Sequence, residues 1–532
     1  MHMNKSVDDQ TDAGGHLCDL DFDLAVVGAG PAGMAAAAAA AEQGLRVALI
    51  DAGRQLGGQY FRHPAPGLSA PWLAKLHHGW SHFEQLAARI EASDRITLLF
   101  GHQVWAIEPG FRVLTDNGPV GASYVVLATG SYERVVPFPG WDLPGVFTAG
   151  GAQALLKGDL VLPGRRVVVA GTGPLLLPVA AGLSAAGAKV LGLFEANQVR
   201  GYAKHPLPLL TNPGKLAEGL DFARQFITGR VPVRTGHMVV EAVEGKGTGE
   251  LEAVIIARPD GATRRIECDT LAIGYNLAPQ IDLGLTLGCV HQQLADGTIA
   301  LRVDRNQRTS VPGFYAAGET VGVAGVQTSL VEGEIAGLAV ARALAGARAR
   351  VAVSRLASDP APAKASVHPD TPPAATTTDA AASGPISDPA PAKVLDPTPD
   401  PAAIDSRLPA LRRRRNRQRA FADVLRIQHP IPAAWRDHLT PDTIVCRCEE
   451  VPARAITEAT DLGAADARTV KLLTRAGMGW CQGRVCGYAV ACLAQRDSTQ
   501  PPAAADLLAA AKRPLARPVP LGVLAAQDRR NK

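Results

Sequence analysis

Four cysteines near the carboxyl end of the chain are spaced as ligands to one inorganic centre. Cys446 and Cys448 form a C-x-C pair, and Cys481 and Cys486 form a second close pair 32 residues further on. Four thiolates suit either Zn²⁺ or a [2Fe–2S] cluster, but structural zinc usually takes C-x-x-C knuckles. Glycines in the same region leave backbone amides free to approach the sulfurs: Gly477, Gly479, Gly483 and Gly487. The spacing therefore favours the cluster over zinc.

A glycine-rich turn near the amino end could hold the pyrophosphate of a dinucleotide. In the segment DLAVVGAGPAG an apolar run leads into three glycines, which allow a tight turn, close approach to pyrophosphate and close helix–strand packing. The helix that follows directs its positive end at the phosphates. The predicted contact residues of this turn are Gly28, Gly30, Pro31, Ala32 and Gly33. Asp51, at the end of the next predicted strand, is placed to bind the adenosine ribose.

Two later segments end as a chain would beside a bound flavin. An apolar strand from Val125 ends in the small-residue turn Ala128, Thr129 and Gly130. A third strand, the segment GFYAAGE, ends at Glu319 with a carboxylate. Together with the first turn, these segments indicate FAD as the dinucleotide.

Taken in order, these motifs resemble the FAD-dependent pyridine-nucleotide oxidoreductases. The resemblance implies that Gly318 and Glu319 hold the ribityl chain of the flavin. It also implies that Gly58 and Gln59 belong to a loop beside the flavin. Disulfide reductases of this family carry a redox-active cysteine pair, but Gln55–His63 and residues 131–264 contain no cysteine. Disulfide reduction is therefore excluded, and the solitary cysteines are predicted to be buried apolar residues: Cys18, Cys268, Cys289 and Cys492.

A second glycine turn stands where this family binds NAD(P)H. It contains Gly171, Gly173 and Pro174, but the third small residue of the pattern is replaced by Leu176, which should alter the pyrophosphate geometry. Glu195, at the end of the following strand, suits a ribose 2′-hydroxyl and would repel a 2′-phosphate. The site could therefore bind NAD(H), bind another adenine nucleotide, or be a degenerate domain retained for structure.

The elements that position these residues alternate between strands and helices. We predict an α/β chain with two Rossmann-like nucleotide-binding domains, one for FAD and one NAD-like, and a small C-terminal α-helical [2Fe–2S] domain. Residues 347–406 are rich in Ala, Pro, Asp, Ser and Thr and contain SDPAPAK twice, which predicts a disordered linker. The predicted segments are a flexible N-terminus (1–20), the FAD domain (21–130 and 265–346), the NAD-like domain (131–264), the linker (347–406), a helical connector (407–439), the cluster domain (440–498) and a tail (499–532).

Composition narrows the classes of partner. The formal net charge is +4 over 532 residues, which indicates no nucleic-acid partner. The dense basic run from Arg412 to Arg419 is interpreted as a solvated helix face or a contact between chains. No segment is apolar for long enough to span a membrane, and the N-terminus is acidic rather than signal-like. We predict a cytoplasmic protein that could associate peripherally with the inner membrane.

The segments CRCEEV and TRAGMGWCQGRVCG resemble the [2Fe–2S] domain of bacterioferritin-associated ferredoxin. With the EGEIAG helix that begins at Glu332, the whole order resembles the α (A) subunits of opine oxidases, hydroxyproline and proline dehydrogenases, and hydrogen cyanide synthase. The resemblance implies an electron-transferring α subunit. Its implied partner is a β subunit flavoprotein that oxidises the amino or imino acid, and the complex passes the electrons to an acceptor. No catalytic constellation stands out in this chain. Two alternatives stay open, an NADH-dependent reductase that feeds its own cluster and a structural subunit with inert nucleotide sites.

Overall fold

The computed structural model describes residues 22–73, 76–358, 399–496, 500–509, 513 and 515–530. The predicted flexible N-terminus with Cys18 lies outside the described residues, as does most of the predicted linker, residues 359–398. No helix in the described part of the chain is long and apolar enough to cross a membrane.

Strands and helices alternate through the first 300 residues and helices dominate thereafter. The strands are β1 (Phe22–Val27), β2 (Val47–Asp51), β3 (Ile96–Phe100), β4 (Val104–Glu108), β5 (Arg112–Thr115), β6 (Gly118–Leu127), β7 (Ser131–Glu133), β8 (Val146–Thr148), β9 (Arg166–Thr172), β10 (Lys189–Glu195), β11 (Val233–Thr235), β12 (Met238–Glu244), β13 (Leu251–Ala257), β14 (Thr263–Glu267), β15 (Thr270–Tyr275), β16 (Leu277–Pro279), β17 (His291–Gln293), β18 (Ile299–Leu301), β19 (Phe314–Ala316), β20 (Ile444–Cys446) and β21 (Val451–Pro452). The α-helices are α1 (Pro31–Ala41), α2 (Trp80–Glu91), α3 (Ala149–Asp159), α4 (Leu176–Ala185), α5 (Pro206–Leu210), α6 (Pro213–Thr228), α7 (Asp282–Thr286), α8 (Val326–Ser358), α9 (Pro401–Gln428), α10 (Ala453–Asp461), α11 (Ala467–Thr474), α12 (Gly487–Ala494), α13 (Ala504–Ala509) and α14 (Leu521–Arg530). Within the described residues, short 3-10 helices cover Val199–Lys204, Gly318–Val321 and Ala433–His438.

The first sheet carries the amino-terminal glycine turn. Its strand order is β3-β2-β1-β6-β5-β4, with β19 beside the end of β6. The pairs β1–β2, β1–β6, β2–β3 and β6–β19 are parallel, whereas β4 and β5 are antiparallel. All six residues of β1 are buried, as expected for a parallel strand covered on both faces. The carboxyl ends of β1, β2, β6 and β19 therefore meet at one edge of the sheet.

Helices α1 and α8 pack at backbone distance beside this sheet. A Cβ on Gly333 would lie 2.0 Å from the carbonyl oxygen of Ala32, and one on Gly337 would lie 2.3 Å from that of Ala36. Glycines four residues apart on α8 thus face the alanine-rich surface of α1. This contact explains why the run of alanines in α1 is paired with the EGEIAG segment.

The second sheet is entirely parallel, with the order β11-β10-β9-β15-β8. An antiparallel sheet, β12-β13-β14, adjoins it. Strand β15 pairs with both β9 and β8, so Thr270–Tyr275 belongs to the second domain. The predicted boundary at residue 264 was therefore too early, because the apolar run of β15 does not reveal which sheet it joins.

Both predicted bounds of the linker lie within helices. Helix α8 continues to Ser358 and α9 already begins at Pro401, so both ends of the segment 347–406 are helical. Asp400 caps α9 by accepting the N–H of Ala402, and proline is tolerated at the first position of a helix. The helical connector therefore starts before residue 407.

The arginines of α9 contact the first domain of the same chain rather than facing solvent alone. Arg412 donates to the side chain of Asn306, and Arg415 donates to the carbonyl of Arg305 at 3.2 Å. Arg426 donates to the carbonyl of Val323 at 2.7 Å. The basic run is thus largely an intramolecular contact.

The four-cysteine domain shares a hydrophobic core with the second domain. Trp141 and Val254 of the second domain pack in the same cluster as Val445 and Ala489, and Trp141 Nε1 donates to the carbonyl of Ile444 at 2.5 Å. The tail also adheres to the body of the protein, because the N–H of Ala516 donates to the carbonyl of Trp105 at 2.9 Å. The cluster domain is therefore fixed on the nucleotide-binding domains.

Candidate cofactor sites

The first glycine turn joins β1 to α1 with no room for side chains. Gly28 has a φ of +108°, and a Cβ there would lie 2.4 Å from the carbonyl oxygen of Ala128. A Cβ on Gly33 would lie 1.7 Å from the oxygen of Gly28. Helix α1 has no side-chain cap at Gly30, so its first N–H groups face outward at the positive end of the helix. The turn fits the pyrophosphate of a dinucleotide.

Asp51 closes this turn from the end of β2, as the sequence predicted. Its Oδ2 atom accepts the N–H of Ala29 at 2.6 Å, and its Oδ1 atom accepts the N–H of Gly53 at 2.6 Å. The residue remains partly exposed. A carboxylate has about four lone-pair positions, so Asp51 can accept further hydrogen bonds from a ribose.

The loop containing Gly58 and Gln59 passes over the same turn. Gly58 has a φ of +57°, and a Cβ on it would lie 2.8 Å from the Cα of Gly30. The side chain of Gln59 is exposed and accepts a hydrogen bond from Arg62 Nη2 at 2.9 Å. The backbone of this loop thus approaches the turn, while Gln59 stands at its outer side.

Ala128, Thr129 and Gly130 follow β6 at the same edge of the sheet as the first turn. Thr129 Oγ1 donates to the carbonyl of Gln280 at 2.9 Å, and Gln280 returns its N–H to the carbonyl of Gly130 at 2.9 Å. Glu319 lies across this turn and accepts a hydrogen bond from the hydroxyl of Ser131. Burial raises the pKa of Glu319 above its ordinary value.

Glu332 and Arg419 support the Gly318–Glu319 loop, and the sequence motifs did not assign them to the site. Arg419 makes two hydrogen bonds of 2.7 Å to the carboxylate of Glu332, which is 2% exposed. Glu332 accepts the N–H of Gly318 at 3.0 Å, and Arg419 donates to the carbonyl of Gly322 at 2.6 Å. The sequence did mark both residues, because Glu332 is the first residue of the EGEIAG segment and Arg419 is the last residue of the basic run.

The second glycine turn differs from the first in where its helix begins. Helix α4 starts five residues after Gly171, whereas α1 starts three residues after Gly28. Leu176, the first residue of α4, is buried in the core of this domain, which agrees with the predicted change in geometry. Pro174 is exposed, but Gly171 and Gly173 are buried.

Glu195 lies at the end of β10, beside Gly173, but its carboxylate is already bound by the chain itself. It accepts the hydroxyl of Thr172 at 2.8 Å, the N–H of Gly173 at 2.9 Å and the N–H of Asn197 at 2.9 Å. Burial opposes ionisation of Glu195, but contact with His429 and these N–H groups outweighs it and lowers the pKa. Glu195 is therefore held as a carboxylate without a ribose.

The end of the helical connector covers this second turn. His429 Nδ1 lies 3.1 Å from Glu195 Oε2. The carbonyl of His429 accepts from Asn276 Nδ2 at 2.6 Å, and the carbonyl of Pro430 accepts from Asn197 Nδ2 at 2.8 Å. His429 and Glu195 are both buried. The segment that follows α9 thus occupies the surroundings of the predicted ribose-binding carboxylate.

The four predicted cluster cysteines lie together at the start of α12 and beside β20. Side-chain contacts link Cys446 to Cys486, Cys486 to Cys481, and Cys481 to Cys448. Contact with Cys486 lowers the pKa of Cys446 to about 6 and that of Cys481 to about 4, whereas contacts with these two thiols raise the pKa of Cys486. The thiolate is the metal-binding form of cysteine, and the lowered pKa values favour that form at Cys446 and Cys481.

The glycines around these cysteines are required by close contacts. The N–H of Gly477 donates to Cys446 Sγ at 3.5 Å, and a Cβ on Gly479 would lie 2.3 Å from the Cβ of Cys448. Among the described residues no group of three or more His, Cys, Asp or Glu side chains is placed around a single metal ion. In a [2Fe–2S] cluster each iron would take two of the four thiolates.

The remaining cysteines in the described part of the chain are buried, as predicted. Cys268 and Cys289 are each 4% exposed, and Cys492 is 1% exposed. Burial raises the pKa of all three thiols, that of Cys268 to about 12. They are therefore inert apolar residues.

Comparison with known proteins agrees with this geometry. Residues 22–333 match the pyridine nucleotide-disulphide oxidoreductase family, and residues 444–496 match the BFD-like [2Fe-2S] binding domain. Hydrogen cyanide synthase subunit HcnB of Pseudomonas protegens is 31% identical over 88% of this chain and 91% of its own length. The A subunit of opine oxidase from Agrobacterium tumefaciens is 31% identical over 88% of this chain and 84% of its own length.

A solved structure shows the same fold over nearly the whole chain. L-proline dehydrogenase from P. horikoshii superposes with a TM-score of 0.57 at 18% identity, covering 95% of this chain and 79% of that chain. The predicted fold class, the family resemblance and the two redox cofactors are thereby confirmed. The chain belongs to the pyridine nucleotide-disulphide oxidoreductase family, with FAD as its flavin and a [2Fe–2S] cluster in a C-terminal BFD-like domain.

Proposed function

We propose that this chain is the electron-transferring α subunit of a heteromeric dehydrogenase that oxidises an amino acid, an opine or a related imino acid. The observation that carries the proposal is the coverage of the second glycine turn by His429 and Pro430. With that turn covered, we propose that electrons do not enter from NAD(H). We propose that they come instead from a partner, a β subunit flavoprotein that holds the substrate.

The named relatives support this proposal. HcnB and the A subunit of opine oxidase are each named as one part of a larger enzyme, and the alpha subunit of sarcosine oxidase from Corynebacterium is a further relative, 31% identical over 49% of this chain. This chain spans most of the length of HcnB and of the opine oxidase protein. We accordingly propose the same division of work here, with substrate oxidation on the partner and electron transfer on this chain, in the cytoplasm.

The residues of this chain bind and orient its cofactors. A bound flavin exchanges electrons in pairs or singly, and a cluster exchanges them singly. We propose that Gly28, Gly30 and Asp51 hold the dinucleotide end of FAD and that Glu319 contacts its ribityl chain. The thiolates of the four cluster cysteines hold the cluster, and the N–H of Gly477 points at one of them.

An NADH-dependent reductase is the second candidate, because strand β9, helix α4 and strand β10 form a complete nucleotide-binding unit. In this candidate His429 would have to move away from Glu195 and Pro430 away from Asn197. A structural subunit with inert nucleotide sites is a weaker candidate, since the cluster cysteines and the first turn both fit their cofactors.

The test is co-expression of the chain with a candidate flavoprotein partner. The chain alone and the co-purified complex are each mixed with a panel of amino acids, opines and imino acids and an artificial electron acceptor. We expect dye reduction by the complex and none by this chain alone. Substrate oxidation by the isolated chain, or rapid flavin reduction by NADH, would refute the proposal.

A further inference from the structure

A partly buried group of arginines lies between the flavin turn and the cluster loop. Arg484 belongs to the loop between Cys481 and Cys486, and Arg513 and Arg517 come from the C-terminal tail. The Arg484 and Arg513 side chains are 10% and 12% exposed. Three guanidinium groups in one partly buried place need compensating negative charge.

Asp282, at the first position of α7, is the carboxylate at the centre of this group. Arg513 Nη1 donates to Asp282 Oδ1 at 2.6 Å, and Arg484 Nη2 lies 3.3 Å from Asp282 Oδ2. Asp282 therefore pairs with two of the arginines, and its charge also acts on Arg517. Among these four residues positive charge exceeds negative charge. The Nε atom of Arg484 is also buried without a hydrogen-bond acceptor among the described residues. Desolvation by burial lowers the pKa of Arg513 and of Arg517.

The arginines touch the cluster loop directly. Arg513 donates to the carbonyl of Gln482, and Arg484 Nη1 lies 3.4 Å from the carbonyl of Cys481. A cluster held by four thiolates is negatively charged, and its reduction adds one electron. Positive charge beside the cluster loop stabilises the reduced form more than the oxidised form.

The same group also reaches the flavin turn. Arg517 Nη2 donates to Gln280 Oε1 at 2.8 Å, and Gln280 is bonded through its backbone to Thr129 and Gly130. The arginine group thus connects the two cofactor sites through protein contacts alone.

We propose that Arg484 and Arg513, which are anchored on Asp282, are positioning residues whose positive charge raises the reduction potential of the cluster. Their charge thereby sets the difference between the reduction potentials of the cluster and the flavin. The proposal depends on the two cofactors that the chain carries and not on the identity of the partner. It can therefore fail or succeed independently of the proposed electron-transfer function within a heteromeric dehydrogenase.

The experiment is a redox titration of the purified holoprotein, with the cluster followed by electron paramagnetic resonance and the flavin by absorbance. Arg513→Gln removes one positive charge, so the cluster midpoint potential should become more negative. We expect about a tenfold change in the equilibrium between the two cluster forms, which is about 59 mV for one electron. Asp282→Asn removes the negative charge, so the shift should have the opposite sign.

Two further variants distinguish the loss of positive charge from a structural change as the cause of a shift in the cluster potential. Arg513→Lys keeps the charge and should restore a potential near that of the wild type, although its hydrogen bonds differ. Arg475→Gln is the matched control, because Arg475 lies near the cluster loop but its side chain is 69% exposed and pairs with Glu449, where solvent screens the charge. Iron content and the resonance spectrum report whether each variant assembles its cluster. Equal shifts in Arg513→Gln and Arg475→Gln, or shifts of the same sign in Arg513→Gln and Asp282→Asn, would overturn the proposal.

Discussion

The two glycine turns of this chain have a similar local design and opposite surroundings. At the first turn Gly28, Gly30 and Asp51 are partly exposed, whereas at the second Gly171, Gly173 and Glu195 are buried. The cover of the second turn comes from His429 and Pro430, more than 200 residues further along the chain. A glycine motif therefore predicts the path of the backbone, but residues far away in sequence decide whether a ligand can reach it.

The carboxylates at the two turns show the same contrast. Asp51 accepts two N–H groups from neighbouring residues and keeps capacity for a ribose. Glu195 accepts from Thr172, Gly173 and Asn197 and also contacts His429. The first carboxylate is arranged to bind a ligand, and the second is satisfied by the protein.

The largest effect on FAD affinity should come from adding a methyl group at the first turn. In Gly30→Ala the new Cβ would contact only the Cα of Gly58, at 4.0 Å, so the fold should tolerate it. The methyl group would nevertheless lie where the backbone must approach the pyrophosphate. We expect FAD affinity to fall roughly a hundredfold, equivalent to about 3 kcal/mol, measured as flavin content after dialysis.

The matched change at the second turn is Pro174→Ala, at an exposed residue. This variant should retain its flavin like the wild type. If Gly30→Ala retained FAD as well, the prediction that the pyrophosphate closely approaches Gly30 would be wrong.

The second prediction concerns the support beneath the first site. In Arg419→Gln the carboxylate of Glu332 would remain buried without its bidentate partner. Breaking a buried pair from one side costs about 3–5 kcal/mol, so the free energy of unfolding should fall by about that amount and flavin release should accelerate. The measurement is denaturant unfolding followed by circular dichroism and flavin fluorescence.

Arg342→Gln is the control for this prediction, because Arg342 and Asp405 also join α8 to α9 but through exposed side chains. Stability should change little in this control. A similar loss in both variants would mean that the two helices, rather than the buried carboxylate, set the stability.

The local features of both sites could be predicted from the sequence, whereas their long-range partners could not. The glycines, Asp51 and the four cysteines follow from motif spacing, because neighbouring residues determine a turn. The role of Glu319 follows from the family resemblance. The assignment of β15 to the second sheet and the contact of His429 with Glu195 depend on pairing between distant segments. Nothing in the local composition near residue 429 reveals that partner.

The third prediction concerns His429, which covers the second glycine turn. His429→Ala removes the contact with Glu195 and the hydrogen bond to the hydroxyl of Tyr202, which is 2.6 Å long. We expect a loss of about 1–3 kcal/mol in the free energy of unfolding. His237→Ala is the control, since the ring of His237 makes its hydrogen bond to the carbonyl of Thr235, only two residues away. Loss of this local hydrogen bond should lower the free energy of unfolding by less.

The pH dependence of the free energy of unfolding tests whether Glu195 is the carboxylate that His429 stabilises. The pKa of Glu195 is lowered in the folded protein from an ordinary value of 4.5, so its contribution is present above that value and is lost as pH falls through the folded pKa. Below about pH 4.5 the wild type should therefore lose stability more steeply than His429→Ala. Parallel curves for the two proteins would exclude Glu195 as the source.

The smallest expected effect is the response of the flavin to NADH. Holoprotein titrated anaerobically with excess NADH should keep its flavin absorbance, because the segment after α9 covers the turn that would bind the nucleotide. Dithionite serves as the positive control and should bleach the same sample. Rapid bleaching by NADH in the wild type would show that the cover opens readily and would favour the reductase function. Bleaching that is absent in the wild type and gained in His429→Ala would instead show that this contact alone keeps the second turn closed.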